Sequence, residues 1–248
     1  MEETNQNIRQ FSLTELVVLH LLPGALTALV YSFLVKTVAS CGYPKIVALG
    51  ISALLVIVPL ELICICLYSK RNYRRYSIKA AIPYRKKISL KDYLLLIGGL
   101  LVWSFIIFYA TGFIGEALLK NAFSWLPEWY ILNDILTEFP KDKLIMTFII
   151  SLAVAGIIVP VTEELYFKGF LLPRMEKMGK AAPFVNTLLF TLYHFWSPWQ
   201  IVTRLLAITP AAYTVRLKKN INIGIIVHCL INITGDSLFI LMLLLKTA

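Results

Sequence analysis

Long apolar stretches separated by short polar ones organise the whole chain. Runs long enough to cross a bilayer, at about 20 residues per helix, fall at 13–35, 46–68, 93–118, 143–173 and 221–245. Two shorter apolar segments, 181–196 and 199–217, are separated by WSPWQ and predict a hairpin of helices that need not both cross fully. The resulting expectation is an all-α fold, a polytopic membrane bundle of seven transmembrane helices, eight if the last breaks at Gly235, enclosing a polar cavity. No internal repeat supports a repeat-built transporter. No loop is large enough for a second folded unit, so residues 1–248 read as a single membrane domain.

Composition sharpens this picture. With 58% hydrophobic and 15% charged residues, helices of this pattern would expose apolar surface all round in water, which excludes a soluble globule. The apolar run after the polar start MEETNQNIRQFS is longer than a signal peptide's hydrophobic region and has no clear small-residue cleavage site. It is therefore expected to stay as a first transmembrane helix. Cys41, Cys64, Cys66 and Cys229 make no CxxC pair, and three of them lie in apolar runs where thiols pack as small hydrophobes.

The net charge of +10 follows topology rather than pointing to nucleic acid. Segment 69–91 carries nine Lys and Arg and no acid, which places it in the cytoplasm by the positive-inside rule and suits it to anionic lipid. Segment 119–142 carries four acids against two bases, with Trp125, Trp129 and Tyr130, and fits an interfacial stretch on the outer side. The N-terminus is then cytoplasmic, and the clusters Arg174/Lys177/Lys180 and Arg216/Lys218/Lys219 return to that face. The expected location is a cell membrane, that of a bacterium if the compact chain is a guide.

An ionisable residue inside a membrane helix costs about 2.5–3.5 kcal/mol at the helix centre, so each one requires a reason. The polar inventory of the apolar segments is short: His20, Glu61, Glu116, Glu163, Glu164, Lys168, His194, Arg204, His228, Asn232 and Asp236. Glu164 and Lys168, at i and i+4, can neutralise each other. Glu163, about 100° away on the helix, shares its face with Tyr166, Phe167 and Phe170, an aromatic surround that desolvates a carboxylate. His228, Asn232 and Asp236 form one stripe on the last helix. Counted at about 1.5 Å per residue, Glu163, His194, His228 and Asn232 fall in one slab of membrane, roughly 12–20 Å from the cytoplasmic boundary.

A carboxylate, two imidazoles and a carboxamide at one depth can activate a water and stabilise an oxyanion. The same set also suits a proton or ion pathway. His20 and Glu116 stand alone and read as packing residues or cavity liners. Glu61, just after Pro59, lies at a depth where it can line the same cavity, and Glu164 with Lys168 reads as a structural ion pair.

EELYFK at 163–168, FTLYH at 190–194 and HCLIN at 228–232 resemble, in order and spacing, the EExxxR, FxxxH and HxxxN motifs of the CPBP family. That family comprises the type II CAAX prenyl proteases and the bacteriocin-processing or immunity proteins also called Abi. The resemblance covers about 145–245. It implies an all-helical membrane bundle whose cavity opens toward the cytoplasm and the lipid. It further implies that Glu163 activates water with help from His194, that His228 and Asn232 hold the oxyanion, and that Glu164, Lys168 and Phe190 support the site. Lys168 departs from the family's usual arginine, keeping the charge but losing the bidentate fork.

The implied function is an intramembrane endopeptidase without a metal or other cofactor, acting on a membrane-associated or lipid-anchored protein or a small peptide precursor. Zinc ligation by Glu163, His194 and His228 is the alternative mechanism, although no HExxH helix is present. Self-immunity to a bacteriocin without essential proteolysis, acyl transfer to lipoproteins from the same site, and transport remain alternative functions.

Overall fold

The computed structural model describes residues 8–246, apart from the side chains of Asp236, Phe239 and Lys246. The extreme N-terminal residues and the inward stripe position Asp236 thus lie outside the described groups. Among the described residues the fold is all helical. Helix α1 (Leu13–Ser40) starts at a capping box in which Ser12 and Glu15 satisfy each other's backbone N–H groups. Helix α2 (Lys45–Tyr73) is interrupted at Val56, because Pro59 has no N–H to offer the Leu55 carbonyl. It stops at Arg74, which takes the left-handed conformation (φ 60°). Helices α3 (Leu90–Asn121), α4 (Lys141–Arg174), α5 (Ala182–Leu192), α6 (Ile201–Lys218) and α7 (Ile221–Leu245) follow.

Five of these helices, α1 to α4 and α7, are long and apolar enough to cross a membrane. The chain is a multi-pass membrane protein. Helices α5 and α6 form the expected hairpin but are shorter. Helix α3 buries only Leu100, Ser104 and Gly115 and turns Val102, Phe105, Ile106, Tyr109 and Phe113 outward, as a lipid-facing helix does. The last helix does not break at Gly235; it continues through a π-helical turn at Ile233–Ser237.

Hydrogen bonds define two ends. At the end that carries the basic segment, the Lys86 N–H donates to Lys219 O (2.8 Å), the Ile221 N–H to Tyr84 O (3.0 Å) and Asn220 Nδ2 to Lys86 O (2.7 Å), so the loop 82–89 is clasped to the α6–α7 turn. Arg174 is buried there. Its guanidinium donates to Phe170 O (2.5 Å) and Ala81 O (3.1 Å) and lies 4.2 Å from the ring centroids of Tyr68 and Phe170. The Phe11 N–H donates to Arg174 O (3.0 Å), drawing the start of α1 to the same plate. At the opposite end the Lys45 N–H donates to Asp134 Oδ2 (2.5 Å), and Tyr130 Oη donates to Phe195 O (3.2 Å), fixing the loop between α3 and α4 over the ends of α2 and α5.

Helix α4 carries two π-helical segments, Ser151–Ile158 and Glu164–Leu171, on either side of a short α-helical piece, Val159–Glu163. Each π segment shifts the side-chain phase relative to a regular helix, and such turns concentrate at functional positions. This is where the paired glutamates stand.

Candidate active site

Glu163 and Glu164 keep ordinary α-helical backbone angles (φ −60°, ψ −44° and φ −64°, ψ −43°). Side chains about 100° apart on a helix were not expected to share a partner. Instead one imidazole meets both: His228 Nε2 is 3.7 Å from Glu163 Oε2 and His228 Nδ1 is 3.2 Å from Glu164 Oε1. Glu164 also forms the expected ion pair with Lys168, and both side chains are 2% exposed. Glu164 is therefore more than half of a structural pair, because its Oε1 holds the Lys168 ammonium and the His228 ring together.

Sequence reasoning missed the residue that permits this closeness. Gly224, one turn before His228, faces Glu164 so tightly that a Cβ there would collide with Glu164 Oε2. The signal was present as a glycine among branched apolar residues in INIGIIV, a mark of close approach.

His194 and Asn232 line the same pocket as Glu163, Glu164, Lys168 and His228, and so does Phe190. The His194 Nδ1–H donates to Phe190 O (2.8 Å) at the end of α5, which leaves Nε2 as the acceptor nitrogen. Phe190 sits edge-on to both His194 and His228 and lies under the Lys168 ammonium. Asn232 Nδ2 donates to the Ala155 carbonyl at 2.9 Å. That carbonyl is left over by the sequence: the Val159 N–H turns back to Val154, and Pro160 has no N–H. One amide hydrogen of Asn232 is thereby fixed on α4 and the second remains for another acceptor.

The other inventory positions separate. His20 is buried, with Nδ1 donating to Leu16 O (2.7 Å) and Nε2 accepting from Asn186 Nδ2 (3.0 Å), so it ties α1 to α5. Glu116 is exposed. Arg204 lines the pocket and donates to Ser197 O (3.1 Å) and Oγ (2.8 Å). Glu61 is fully buried, and its oxygens, like the Tyr193 hydroxyl, make no direct hydrogen bond. Glu61 does not line the pocket; it stands behind Glu163.

The pocket has a volume of about 530 Å³, within the range of roughly 300–1,000 Å³ usual for ligand sites. Among the described residues no group of three His, Cys, Asp or Glu side chains is arranged to hold a metal ion.

The family model described as type II CAAX prenyl endopeptidase, Rce1-like, matches residues 145–234. All three quoted motifs fall inside that match. No curated protein and no solved structure matches the chain.

Proposed function

We propose that this chain, an Rce1-like member of the CPBP family over residues 145–234, is an intramembrane endopeptidase in which Glu163 activates a water without a metal or other cofactor. The family match supports a CAAX-type intramembrane protease. The observation that carries the reading further is the clustering of Glu163, Glu164, Lys168 and His228, from two helices, on the wall of a pocket shared with His194 and Asn232. Helices α5 and α6 complete a seven-helix bundle whose polar cavity is this pocket.

The chemistry follows from which atoms can donate. Glu164 is a carboxylate paired with Lys168 and cannot donate, so His228 Nδ1 carries a proton toward it. For Nε2 to stabilise an oxyanion it must carry one too. His228 then acts as an imidazolium, and two carboxylates, one ammonium and one imidazolium sum to zero charge in the buried cluster. His194 Nε2 accepts one hydrogen of the attacking water while Glu163 removes the other proton as the water oxygen bonds to the scissile carbonyl carbon. The carbonyl electrons move to oxygen, where His228 Nε2–H and the second N–H of Asn232 receive the charge. Collapse of this adduct breaks the C–N bond, and the proton held by Glu163 passes to the departing amine. The substrate is a membrane-associated or lipid-anchored protein or a small peptide precursor. The basic segment 69–91 rests on anionic lipid at the cytoplasmic face of a cell membrane, with the N-terminus on the same side.

Mass spectrometry of membrane peptides and lipoproteins, comparing wild type with Glu163→Gln in a host carrying the neighbouring genes, tests the proposal. Cleavage products that depend on Glu163 are expected. Acylated products, or an unchanged profile, would overturn hydrolysis in favour of acyl transfer or a non-proteolytic immunity role.

A further inference from the structure

We infer that Glu61 and Tyr193 form a buried support behind Glu163, in which a neutral Glu61 donates a hydrogen bond to the Tyr193 oxygen and Tyr193 donates its own hydroxyl hydrogen to the Glu163 carboxylate. Neither side chain lines the pocket, so both are positioning residues that act through Glu163. This rests on the peptidase reading above.

Glu61 interrupts an apolar face. The break of α2 at Val56 is followed by one inward stripe, Ile57, Glu61, Ile65 and Ser69, all 0% exposed. Ile57 and Ile65, one turn to either side of Glu61, belong to the apolar cluster that also holds Val159, Phe167 and Tyr193. This part of α2 packs on Val159–Glu163 of α4. Packing alone would be served by another branched apolar residue. The other polar member of the stripe, Ser69, spends its hydroxyl hydrogen on Arg75 O (2.8 Å), whereas neither Glu61 oxygen makes a hydrogen bond among the described residues.

A lone carboxyl buried in apolar surroundings carries its proton rather than a charge. Charge balance points the same way: Glu163, Glu164, Lys168 and the His228 imidazolium already sum to zero, so an ionised Glu61 would leave one negative charge uncompensated beside the general base. The neutral form brings one O–H donor.

Tyr193 supplies the link. Its buried hydroxyl adjoins the carboxyls of both Glu61 and Glu163 without a direct hydrogen bond, and such contacts in an unliganded active site are often long and tighten with substrate. The ring is clamped in place. It stacks on Phe190, with centroids 5.9 Å apart and planes 15° apart, and meets Phe167 edge-on at 4.9 Å. From α1, an added Cβ at Gly24 would collide with the Tyr193 carbonyl oxygen and ring. Tyr166, another phenol buried in the same cluster, is committed to Leu19 O (2.9 Å), so Tyr193 is the hydroxyl left for Glu163. A bond on the rear of Glu163 fixes the plane of the carboxylate that faces His228 Nε2 at 3.7 Å.

The test uses the full-length protein and the peptide whose cleavage depends on Glu163. Glu61→Leu and Tyr193→Phe are each expected to lower kcat about tenfold to a hundredfold, the worth of a hydrogen bond to a charged group, with KM unchanged and the double variant no worse than either single one. Glu61→Gln, whose neutral amide still donates, is expected to recover most of the turnover that Glu61→Leu loses. Glu61→Leu is also expected to melt no lower than wild type in detergent, because it removes a buried polar group that has no partner. Wild-type kcat in Glu61→Leu, an equal loss in Glu61→Gln, or a loss that tracks a fall in melting temperature overturns the inference.

Infrared difference spectra read the same unit without any substrate. The spectrum of wild type minus Glu61→Gln at pH 7 is expected to show the C=O stretch of a carboxylic acid, and the band is expected to shift when the pair is compared in a Tyr193→Phe background. A missing band, or one that Tyr193→Phe leaves in place, overturns the support. Failure of the peptidase reading appears separately, as a peptide profile that Glu163→Gln leaves unchanged.

Discussion

At the scale of single residues, the proposed chemistry is one hydrogen-bonded unit, and losses within such a unit do not add. Glu163→Gln, His194→Ala and His228→Ala are each expected to lower turnover roughly a thousandfold or more while the protein inserts at its normal level. Near-normal turnover by any one variant removes that residue from the mechanism. Asn232→Ala is expected to lower turnover by about a hundredfold, chiefly in kcat. Asn232→Asp should be worse, since its carboxylate repels both the developing charge and the Ala155 carbonyl that faces it. A variant series that instead weakens only KM would mean that Asn232 contacts the ground state. The participants were legible because polar side chains in an apolar sequence are few and each has to be explained. Their partners were not. The bond from Asn232 to Ala155 depends on Pro160 and on a π register, and nothing in residue spacing announces where a helix changes register.

Elements carry the next level of information, and α4 shows its limit. Periodicity located the helix and its glutamates, yet a fixed 3.6-residue turn assigned Glu163 and Glu164 to different surroundings, whereas the two nitrogens of one His228 ring reach both. Glu164→Gln breaks a buried pair and leaves Lys168 uncompensated, a loss of about 3 kcal/mol, and it should also lower turnover by releasing His228. Gly224→Ala displaces the same carboxylate sterically. In a double-mutant cycle the two substitutions should therefore be strongly non-additive in turnover, and additivity would separate Gly224 from the site.

The basic-end clasp offers a pH test at the same scale. Hydrogen bonds from Arg216 (2.5 and 3.2 Å) hold the Glu176 carboxyl below its ordinary value of 4.5, while burial, and then Glu176 itself, raise the Tyr84 phenol. A depressed carboxyl stabilises the fold above its unfolded value and loses that contribution as pH falls through the folded one. Glu176→Gln should thus lower the melting temperature in detergent at pH 7, with the difference from wild type closing as pH falls below the carboxyl's ordinary value of 4.5. A difference that persists there would assign the effect to packing instead.

At the scale of the whole molecule, the hydropathy pattern yielded the membrane class and all five long spans, because a bilayer demands apolar length above all else. Charge asymmetry grouped the loops at two ends but not the bonds that hold them there, since hydrogen bonds between loops far apart in sequence leave no periodic trace. Those bonds bear on how the protein is made. Helices emerge from synthesis in order, but the clasp pairs Tyr84 and Lys86 with residues 219–221, and Glu164 meets its imidazole only on α7. A chain ending at Lys219 should insert its earlier spans, remain cleavable by protease in the loop 82–89, and lack all turnover. Protection of that loop in the truncated chain would show that the clasp closes without α7. The nascent protein therefore passes through a stage in which Glu163 and Glu164 already lie in the membrane without His228 or Asn232. On the proposed mechanism, a hydrolytic centre split this way stays silent until the ribosome has delivered the final helix, and the cell is spared an active protease that has not finished folding.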